Sequence, residues 1–225
     1  MASIFVAGAT GATGRVFLPL ATAEGHTLTF HVRPKTAATS PLAKDPRARV
    51  FELDDAPALG AALRGQDVVV SFVGTMQKRF GAGDTYESSD VGSTTSLVAA
   101  AKAAGVPRFL LLSSYGAGGM GAYLAMKRRC ERIVEESGLA WTLFRPSALV
   151  SPEGDAGDHL GRRDPPPMMG AVLGALRGIG PLRGWADDVR PIPIEILARA
   201  FVRVVESPEN GRILQGRDLW KLGGT

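Results

Sequence analysis

A glycine-rich turn directly after a short apolar strand constrains this chain most. Ser3–Ala7 is predicted to be a strand, and the residues from Gly8 to Arg15 read GATGATGR. Gly8 permits a tight turn, Gly11 lets the backbone approach a bound group, and Gly14 lets a helix pack closely on a sheet. The helix N-terminus then offers unpaired N–H groups to a pyrophosphate. A turn without a ligand is the alternative, but the strand–turn–helix context favours a dinucleotide site.

The end of the second predicted strand indicates which dinucleotide is preferred. NAD sites usually carry an acidic residue about 20 positions after the turn, where it binds the ribose 2′-hydroxyl. Here Thr27–Val32 is followed by Arg33, which lies 19 positions after Gly14. A guanidinium at this place can hold a 2′-phosphate, assisted by Arg15 and Lys35. The sequence therefore predicts NADP(H), against the alternative that Arg33 is a solvated charge at a strand end.

Apolar β-branched runs alternate with Ala/Leu-rich segments along the first two thirds of the chain. Strands that are apolar throughout, each followed by a helix, indicate a parallel sheet covered on both faces. The predicted fold class is therefore α/β, a Rossmann-type doubly wound parallel sheet. Predicted strands are Ser3–Ala7, Thr27–Val32, Ala48–Leu53, Asp67–Val73, Phe109–Ser113 and Trp141–Phe144. Predicted helices are Arg15–Glu24, Ala56–Leu63, Tyr86–Ala104, Tyr123–Ser137, Met168–Arg177 and Glu195–Glu206.

The character of the sequence changes after about Val150. Ser151–Pro167 contains four prolines and three glycines and has no helical or strand period. Such a long loop in a compact domain is usually either functional or disordered. We therefore predict one NAD(P)-binding Rossmann domain over 1–225, in which 151–195 form a small C-terminal cap over a substrate cleft.

Composition excludes an intrinsically disordered chain and a collagen-like structure. Hydrophobic residues make up 45% and charged residues 21% of the 225 residues, as in ordinary globular domains. The net charge of +4 is spread along the chain and predicts no nucleic-acid face. We expect no signal peptide and no membrane span. The single cysteine, Cys130, predicts neither a disulfide nor a metal site and fits a reducing, cytoplasmic setting. We expect a small-molecule substrate and a monomer or homodimer.

A tyrosine and a lysine share one face of a predicted helix. Tyr123 and Lys127 are four residues apart, which is a rotation of about 400° along a helix. An ammonium near a phenol eases loss of the phenolic proton and can hold a nicotinamide ribose, so Tyr123 is a candidate proton donor. Ser114 follows the fifth strand, where it could orient a substrate oxygen. The alternative is chance, because Lys127 also belongs to a basic run that extends to Arg132.

Five features occur in the order found in a known family. They are GATGATGR, the arginine after strand two, DVVVSFVGT, LVAAAKAAGVPRFLLLSS and GLAWTLFRPSALV. Together they resemble the atypical short-chain dehydrogenase/reductases, in particular the NAD(P)H-binding, NmrA-like group that includes flavin and biliverdin-IXβ reductases. The resemblance covers Ile4 to about Ser151. Tyr123 and Lys127 match the YxxxK motif of the active enzymes, but Tyr123 follows Ser114 by only nine positions, fewer than is usual there.

The resemblance implies a role for each matching position. The turn would hold the pyrophosphate, and Arg33 would hold the 2′-phosphate. The end of strand three would lie by the adenine. The end of strand four would line the cofactor, and the residues after strand six would pack beside the nicotinamide. Phe51-Glu52-Leu53 departs from the family's Gly-Asp-Leu. The implied cofactor residues are Gly8, Thr10, Gly11, Ala12, Thr13, Gly14, Arg15, Arg33, Glu52, Leu53, Val73, Gly74, Thr75, Ser113, Lys127, Pro146, Ser147 and Ala148. The implied catalytic residues are Ser114, Tyr123 and Lys127.

The sequence leaves more than one function open. The first hypothesis is an NADPH-dependent oxidoreductase that passes hydride to a small carbonyl, quinone or flavin-like acceptor. The second is a non-catalytic redox sensor that binds NADP(H) and acts through a protein partner, which the short Ser114–Tyr123 separation favours. An isomerase or dehydratase that keeps its cofactor bound is a third reading.

Overall fold

A seven-stranded parallel sheet forms the centre of the molecule. The structure, a computed structural model, describes residues 1–74, 85–150, 184 and 186–224. The strands are β1 Ser3–Ala7, β2 Thr27–Val32, β3 Ala48–Val50, β4 Val68–Ser71, β5 Arg108–Leu112, β6 Ala140–Arg145, β7 Leu149–Val150, β8 Ile192–Pro193 and β9 Arg212–Gln215. The spatial order is β3-β2-β1-β4-β5-β6-β9, and β7 pairs separately with β8. This arrangement confirms the predicted Rossmann-type fold class.

Helices cover both faces of the sheet. They are α1 Ala12–Ala23, α2 Pro34–Ala37, α3 Ala56–Leu63, α4 Ser93–Ala103, α5 Ala122–Glu135, α6 Ile194–Val205 and α7 Arg217–Gly223. A 3₁₀ turn spans Pro41–Lys44, and a π-helix over Tyr86–Gly92 runs into α4. The π-helix begins in a capping box, in which Thr85 and Ser88 bond each other's backbone N–H groups.

The chain order reverses beside the first strand, and this locates a ligand cleft. Ile4 of β1 lies between Leu28 of β2 and Val68 of β4, so the chain leaves β1 on one side and later returns on the other. Helices that follow β1 and β4 therefore lie on opposite faces. In such sheets ligands bind outside the carboxyl ends of the strands at this point. The residues after Ala7 and after Ser71 are consequently the first to consider.

Two apolar clusters hold the layers together. On one face Phe201 of α6 stacks on Phe144 of β6, with ring centroids 3.6 Å apart. Phe17 of α1 and Phe72 after β4 pack against the Phe201 ring, with ring centroids 6.5 and 4.8 Å from its centroid. On the other face α3, α4 and α5 bury Leu59, Leu97, Val134 and their neighbours against the sheet. Each cluster removes several large side chains from water, which is the main favourable term in folding.

The structure differs from the predicted elements at identifiable places. β3 ends at Val50 instead of Leu53, because the chain turns there and Asp55 N–H donates to the Glu52 carbonyl. The first two turns of the predicted Tyr86–Ala104 helix are π-helical. β9 and α7 were not predicted. The Met168–Arg177 helix, and most of the predicted cap over 151–195, lie outside the described residues.

Replacing Phe201 with Ala should lower the free energy of unfolding by about 3–5 kcal/mol, because it leaves a cavity among three aromatic rings. Phe201 is fully buried, whereas Met120 is 97% exposed. Met120→Ala is the control and should change stability by less than about 0.5 kcal/mol. Urea unfolding followed by circular dichroism measures both. Equal effects of the two substitutions would show that Phe201 does not join the layers.

Candidate functional site

Backbone contacts explain why the turn after β1 needs its glycines. Gly8 has φ +79°, and a Cβ there would lie 2.7 Å from the carbonyl carbon of Phe72. A Cβ on Gly14 would lie 2.5 Å from the Gly8 oxygen and 2.7 Å from the Ala9 Cα. Real Cβ atoms do not approach backbone so closely, so only glycine allows β1, the turn and α1 to meet here. The turn therefore forms a cradle of bare backbone that fits a pyrophosphate.

The first turn of α1 completes this cradle electrostatically. Gly11 is the N-cap and provides no side-chain acceptor, so the first N–H groups of the helix stay available to an anion. The Arg15 side chain folds back on the turn, and its Nε donates to the Thr10 carbonyl at 2.9 Å. Thr13 is 3% exposed. The partly exposed positions of the turn are thus Gly8, Thr10 and Gly11, whereas Thr13 and Gly14 are buried beneath them.

Arg33 lies directly after β2, at the start of the short helix α2. Its carbonyl accepts N–H bonds from Thr36 and Ala37, both at 2.9 Å, which fixes the backbone at this corner. The neighbouring His31 is buried and its Nε2 lies 2.7 Å from the Phe51 carbonyl oxygen. Burial lowers the pKa of His31, and the positive charge of Arg33 adds to this. The strand end thus presents the Arg33 charge beside a neutral imidazole.

Glu52 and Leu53 lie at the next strand end, where the resemblance expects adenine. Phe51 N–H still donates to the Val32 carbonyl at 3.3 Å, which joins this segment to the end of β2. Glu52 is exposed and Leu53 is buried. At this strand end the solvent-facing side chain is therefore that of Glu52, whereas Leu53 belongs to the core.

Tyr123 and Lys127 come together at the end of β4, as the YxxxK spacing predicts. The Lys127 Nζ lies over the Tyr123 ring, 5.9 Å from its centroid. The same nitrogen is 3.4 Å from Oδ1 of Asp90 in the π-helix. A Cβ built on Gly74 would lie 3.3 Å from the Lys127 Nζ. Tyr123 is 38% exposed and its ring is 6.0 Å from that of Tyr86. A phenol that solvent can reach thus stands beside a buried ammonium.

The two serines after β5 have different partners. Ser113 is buried, and its Oγ donates to Oε1 of Glu131 at 2.6 Å. Glu131 also accepts two bonds of 2.7 Å from Arg145. Burial would raise the pKa of Glu131, but the hydrogen bonds from Arg145 and Ser113 hold it below its usual range. The Ser114 Oγ donates to the Tyr115 carbonyl at 3.4 Å. Ser113 thus bonds into α5, and Ser114 has a local backbone partner instead of the Tyr123 hydroxyl.

Residues after β6 connect the sheet to the second part of the chain. The Pro146 carbonyl accepts the Tyr115 N–H at 2.8 Å, and the Ala148 carbonyl accepts the Ile192 N–H at 2.9 Å. The Ser147 hydroxyl donates to the Arg190 carbonyl at 2.5 Å. This segment therefore sits between the end of β5 and β8. Thr75, which is also among the predicted cofactor residues, lies outside the described residues.

Sequence reasoning missed two buried acids at this site. Glu131 continues the stripe of Tyr123 and Lys127 at the next four-residue step of α5, which could have marked it. Asp90 stands four residues before Thr94, on the side of the helix that carries the buried positions. A charge on an apolar helix face is a signal for a buried partner. Arg128 lies three residues before Glu131 on α5 and bonds it, but the partners of Glu131 and Asp90 on other elements could not be found from spacing.

Comparison with known proteins agrees with this geometry. Residues 8–172 match a family described as NAD(P)H-binding. The chain belongs to this NAD(P)H-binding family. Protein HTATIP2 from Rattus norvegicus is 27% identical over 98% of this chain and 89% of its own length. The mitochondrial protein FMP52 from Chaetomium globosum is 27% identical over 100% and 98%.

Solved structures show the same fold at lower sequence identity. A short-chain dehydrogenase/reductase superfamily protein from Agrobacterium tumefaciens, with bound NAD, has a TM-score of 0.69 at 18% identity and covers 94% of this chain and 76% of its own. ChuY, an anaerobillin reductase from Escherichia coli O157:H7, has a TM-score of 0.64 at 17% identity over 94% of both chains. At this identity the two structures show the fold, and the NAD(P)H-binding family match over residues 8–172 agrees with the resemblance to atypical short-chain dehydrogenase/reductases.

Two further findings concern the described residues alone. Their helices include none with the length and apolar character that crossing a membrane requires. Within the same residues, His, Cys, Asp and Glu side chains form no group of three suited to a metal ion.

Gly14→Ala should weaken NAD(P)H binding and lower the free energy of unfolding by about 1–3 kcal/mol, because its Cβ forces the turn away from α1. The matched control is Gly60→Ala in α3, where an added Cβ meets nothing within 4 Å. That control should leave binding unchanged and gain up to about 1 kcal/mol from helix propensity. Nicotinamide fluorescence and thermal melts measure both. Unchanged NADPH binding by Gly14→Ala would contradict the role of the turn.

Proposed function

We propose that this protein is an NADPH-dependent reductase that passes hydride to a small carbonyl, quinone or flavin-like acceptor. The observation that carries the proposal is that the Lys127 ammonium lies beside Gly74 and over the Tyr123 ring. This glycine follows β4, at the sheet edge where the fold binds ligands. A proton donor and an ammonium at that edge suit a reaction in which a carbonyl oxygen gains negative charge and then a proton.

The residues present fit a dinucleotide. An added Cβ on Gly8 or Gly14 would collide with backbone, so the glycines keep the turn tight and its backbone bare, and the Arg15 side chain lies beside it. Arg33 supports the choice of NADP(H), because a guanidinium binds phosphate with charge-assisted hydrogen bonds. When bound, NADPH supplies a hydride, which together with one proton reduces a carbonyl to an alcohol or a quinone to a hydroquinone.

The chain's own groups would supply the proton and the orientation. The Tyr123 hydroxyl gives its proton to the acceptor oxygen and recovers one from solvent, since its side chain is partly exposed. The Lys127 ammonium stabilises the negative charge left on the phenol oxygen. Ser114 leaves its weak 3.4 Å bond to the Tyr115 carbonyl and orients the acceptor. Pro146, Ser147 and Ala148 border the nicotinamide side.

A groove of about 440 Å³ lies between the start of the π-helix and α5. It is lined by Thr85, Tyr86, Glu87, Ala122, Ala125, Met126 and Arg129. Its volume is in the range of small-molecule sites. Tyr123, Lys127 and Gly74 are not among its lining residues, so the groove adjoins the proposed site instead of forming it. We place this activity in a reducing, cytoplasmic setting, in a monomer or homodimer.

A redox sensor without catalysis is the second candidate. The observation in its favour is that the Ser114 hydroxyl bonds the carbonyl of its own neighbour, Tyr115, instead of the Tyr123 hydroxyl. A panel of quinones, flavins and aldehydes mixed with NADPH decides between the two functions. Consumption of NADPH with any acceptor supports the reductase. Tight NADPH binding without consumption supports the sensor, and no binding at millimolar NADPH contradicts both.

Tyr123→Phe should lower turnover at least about tenfold, because the variant keeps the ring but has no proton to give. Tyr115→Phe is the matched control, since it removes a phenol close by that the proposal does not use. Stopped-flow loss of NADPH absorbance measures both rates, and NADPH binding by the two variants should equal that of the wild type. Full turnover by Tyr123→Phe would remove this residue from the reaction.

Arg33→Ala should reduce the preference for NADPH over NADH by about ten- to hundredfold, as expected for one charge-assisted hydrogen bond. NADH binding should stay within about threefold of the wild type, which corresponds to less than about 0.7 kcal/mol. Arg64→Ala, an exposed charge after α3, is the control for loss of positive charge in general. Fluorescence titrations with both nucleotides give the ratio. An unchanged ratio would show that another group selects the phosphate.

A further inference from the structure

His31 is a buried polar group that the proposed reaction does not use. It belongs to β2, and it is only 4% exposed. Its Nε2 lies 2.7 Å from the carbonyl oxygen of Phe51, and the two rings meet edge to face with centroids 4.9 Å apart. Burying a polar ring is costly unless it is hydrogen-bonded, so the bond to Phe51 compensates for the burial of the imidazole.

The direction of this hydrogen bond is fixed by chemistry. A carbonyl oxygen can only accept, so the Nε2 of His31 must carry the proton and donate it. Burial lowers the pKa of His31 and the positive charge of Arg33 lowers it further, although the bond to Phe51 opposes both. The imidazole is therefore neutral at physiological pH, and its single N–H is the one that faces Phe51.

The bond holds the chain at the point where β3 stops pairing with β2. Val50 is the last residue of β3 and pairs with Val32. The Phe51 N–H still donates to the Val32 carbonyl at 3.3 Å, but the Phe51 carbonyl is bound by the His31 side chain. Both backbone groups of Phe51 are therefore fixed to β2, one by the main chain and the other by an imidazole.

The next fixed point along the chain is the start of α3. Asp55 is the N-cap of this helix, and its side chain accepts the Ala58 N–H at 3.0 Å. The Asp55 N–H donates to the Glu52 carbonyl at 2.9 Å, which closes the turn. Glu52 and Leu53 are the residues that the family resemblance places by the adenine. They are thus held between the His31 bond and the cap of α3.

Arg33 leaves β2 on the same side of the sheet as His31. Side chains alternate along a strand, and Arg33 continues the extended backbone with φ −67° and ψ 141°. Val32, which lies between them, packs in the apolar cluster with α1 and α6, whereas Phe51 and Leu53 pack in the cluster with α3. His31 and Arg33 therefore both point to the α3 side. The Arg33 charge and the turn before α3 border the same corner of the sheet.

We propose that His31 is a positioning residue for the adenosine end of the dinucleotide. It fixes the Phe51 carbonyl and thereby the turn that follows. That turn and the Arg33 guanidinium together border a pocket for an adenosine 2′-phosphate. The inference rests on the NADP(H) site proposed above and deepens it. His31 is buried beneath the turn and acts through it, without contact with the nucleotide.

Three variants separate the hydrogen bond from the ring. His31→Phe keeps an aromatic ring against Phe51 but has no donor. His31→Gln keeps an N–H donor of similar reach and has no ring. His26→Phe is the matched control, because the His26 Nδ1 accepts the Ala2 N–H at 3.1 Å just before the amino end of β2. It removes a histidine hydrogen bond at the end of the strand that lies far from the nucleotide.

His31→Phe should weaken the binding of 2′,5′-ADP about three- to tenfold, as expected for the loss of one hydrogen bond that positions the turn. His31→Gln and His26→Phe should bind it within about twofold of the wild type. In His31→Phe the KM for NADPH should rise with an unchanged kcat, because the nicotinamide end is untouched. Calorimetry and steady-state kinetics measure these effects. Lower stability of His31→Phe with wild-type affinity for 2′,5′-ADP would show a merely structural role and overturn the proposal.

Nitrogen NMR tests the same arrangement in the wild type. The ¹⁵N shifts of an imidazole report which nitrogen carries the proton, and the signal missing from His31→Gln identifies His31. The Nε2–H tautomer is expected. Its signal should move when 2′,5′-ADP is added and stay in place with nicotinamide mononucleotide. A proton on Nδ1, or no response to bound 2′,5′-ADP, would overturn the proposal even if His31→Phe does not fold.

The two proposals fail in different ways. A wild type that binds neither NADPH nor 2′,5′-ADP contradicts the NADP(H) site and this role of His31 together. A wild type that binds both but reduces no acceptor contradicts the reductase alone, since calorimetry and NMR still decide the role of His31. Equal binding of 2′,5′-ADP by the wild type and His31→Phe overturns the positioning role and leaves the reductase standing.

Discussion

Close contact between the backbone of the first turn and the end of β4 determines where a ligand can lie on this protein. Gly8 approaches Phe72 so closely that no other residue fits, and Gly14 brings α1 against the turn. These contacts align the ends of β1 and β4 at the place where the sheet changes direction. Every other group of the site is positioned relative to this junction, including Arg33 after β2 and Lys127 under Gly74. The geometry of the site therefore depends first on these contacts between backbone segments.

Helix α5 carries the reactive groups in one stripe. Tyr123, Lys127 and Glu131 follow each other at four-residue steps, and each has a partner from a different part of the fold. Tyr123 meets Tyr86, Lys127 meets Asp90, and Glu131 joins Ser113 and Arg145. The exposure falls along this stripe, from a phenol that solvent reaches to a carboxylate that is fully buried. One face of α5 therefore carries both the exposed phenol proposed to react and the buried Glu131, whose hydrogen bonds join α5 to the ends of β5 and β6.

Much of the fold could be predicted from local patterns. β1, β2 and β4–β6 are apolar over several residues, and their parallel arrangement follows from the helices between them. β9 was missed because Arg212–Gln215 is short, polar at both ends and stabilised by pairing with β6. The π-helix was missed because its buried positions satisfy a helical period equally well. Arg33, Tyr123 and Lys127 were found by spacing, but Asp90 required the tertiary contact. Ser113 was assigned to the cofactor, and only the structure shows its hydroxyl bonded to Glu131.

The short sheet formed by β7 and β8 has a consequence for chain entropy. Leu149 pairs with Ile192 and Val150 with Pro193, so two short stretches far apart in sequence are held side by side. The entropy of closing a loop grows only slowly with its length once the ends are held together. Insertions or deletions between β7 and β8 should therefore change the free energy of folding only a little. The pairing of these two strands makes the length of the intervening chain nearly neutral for the stability of the sheet.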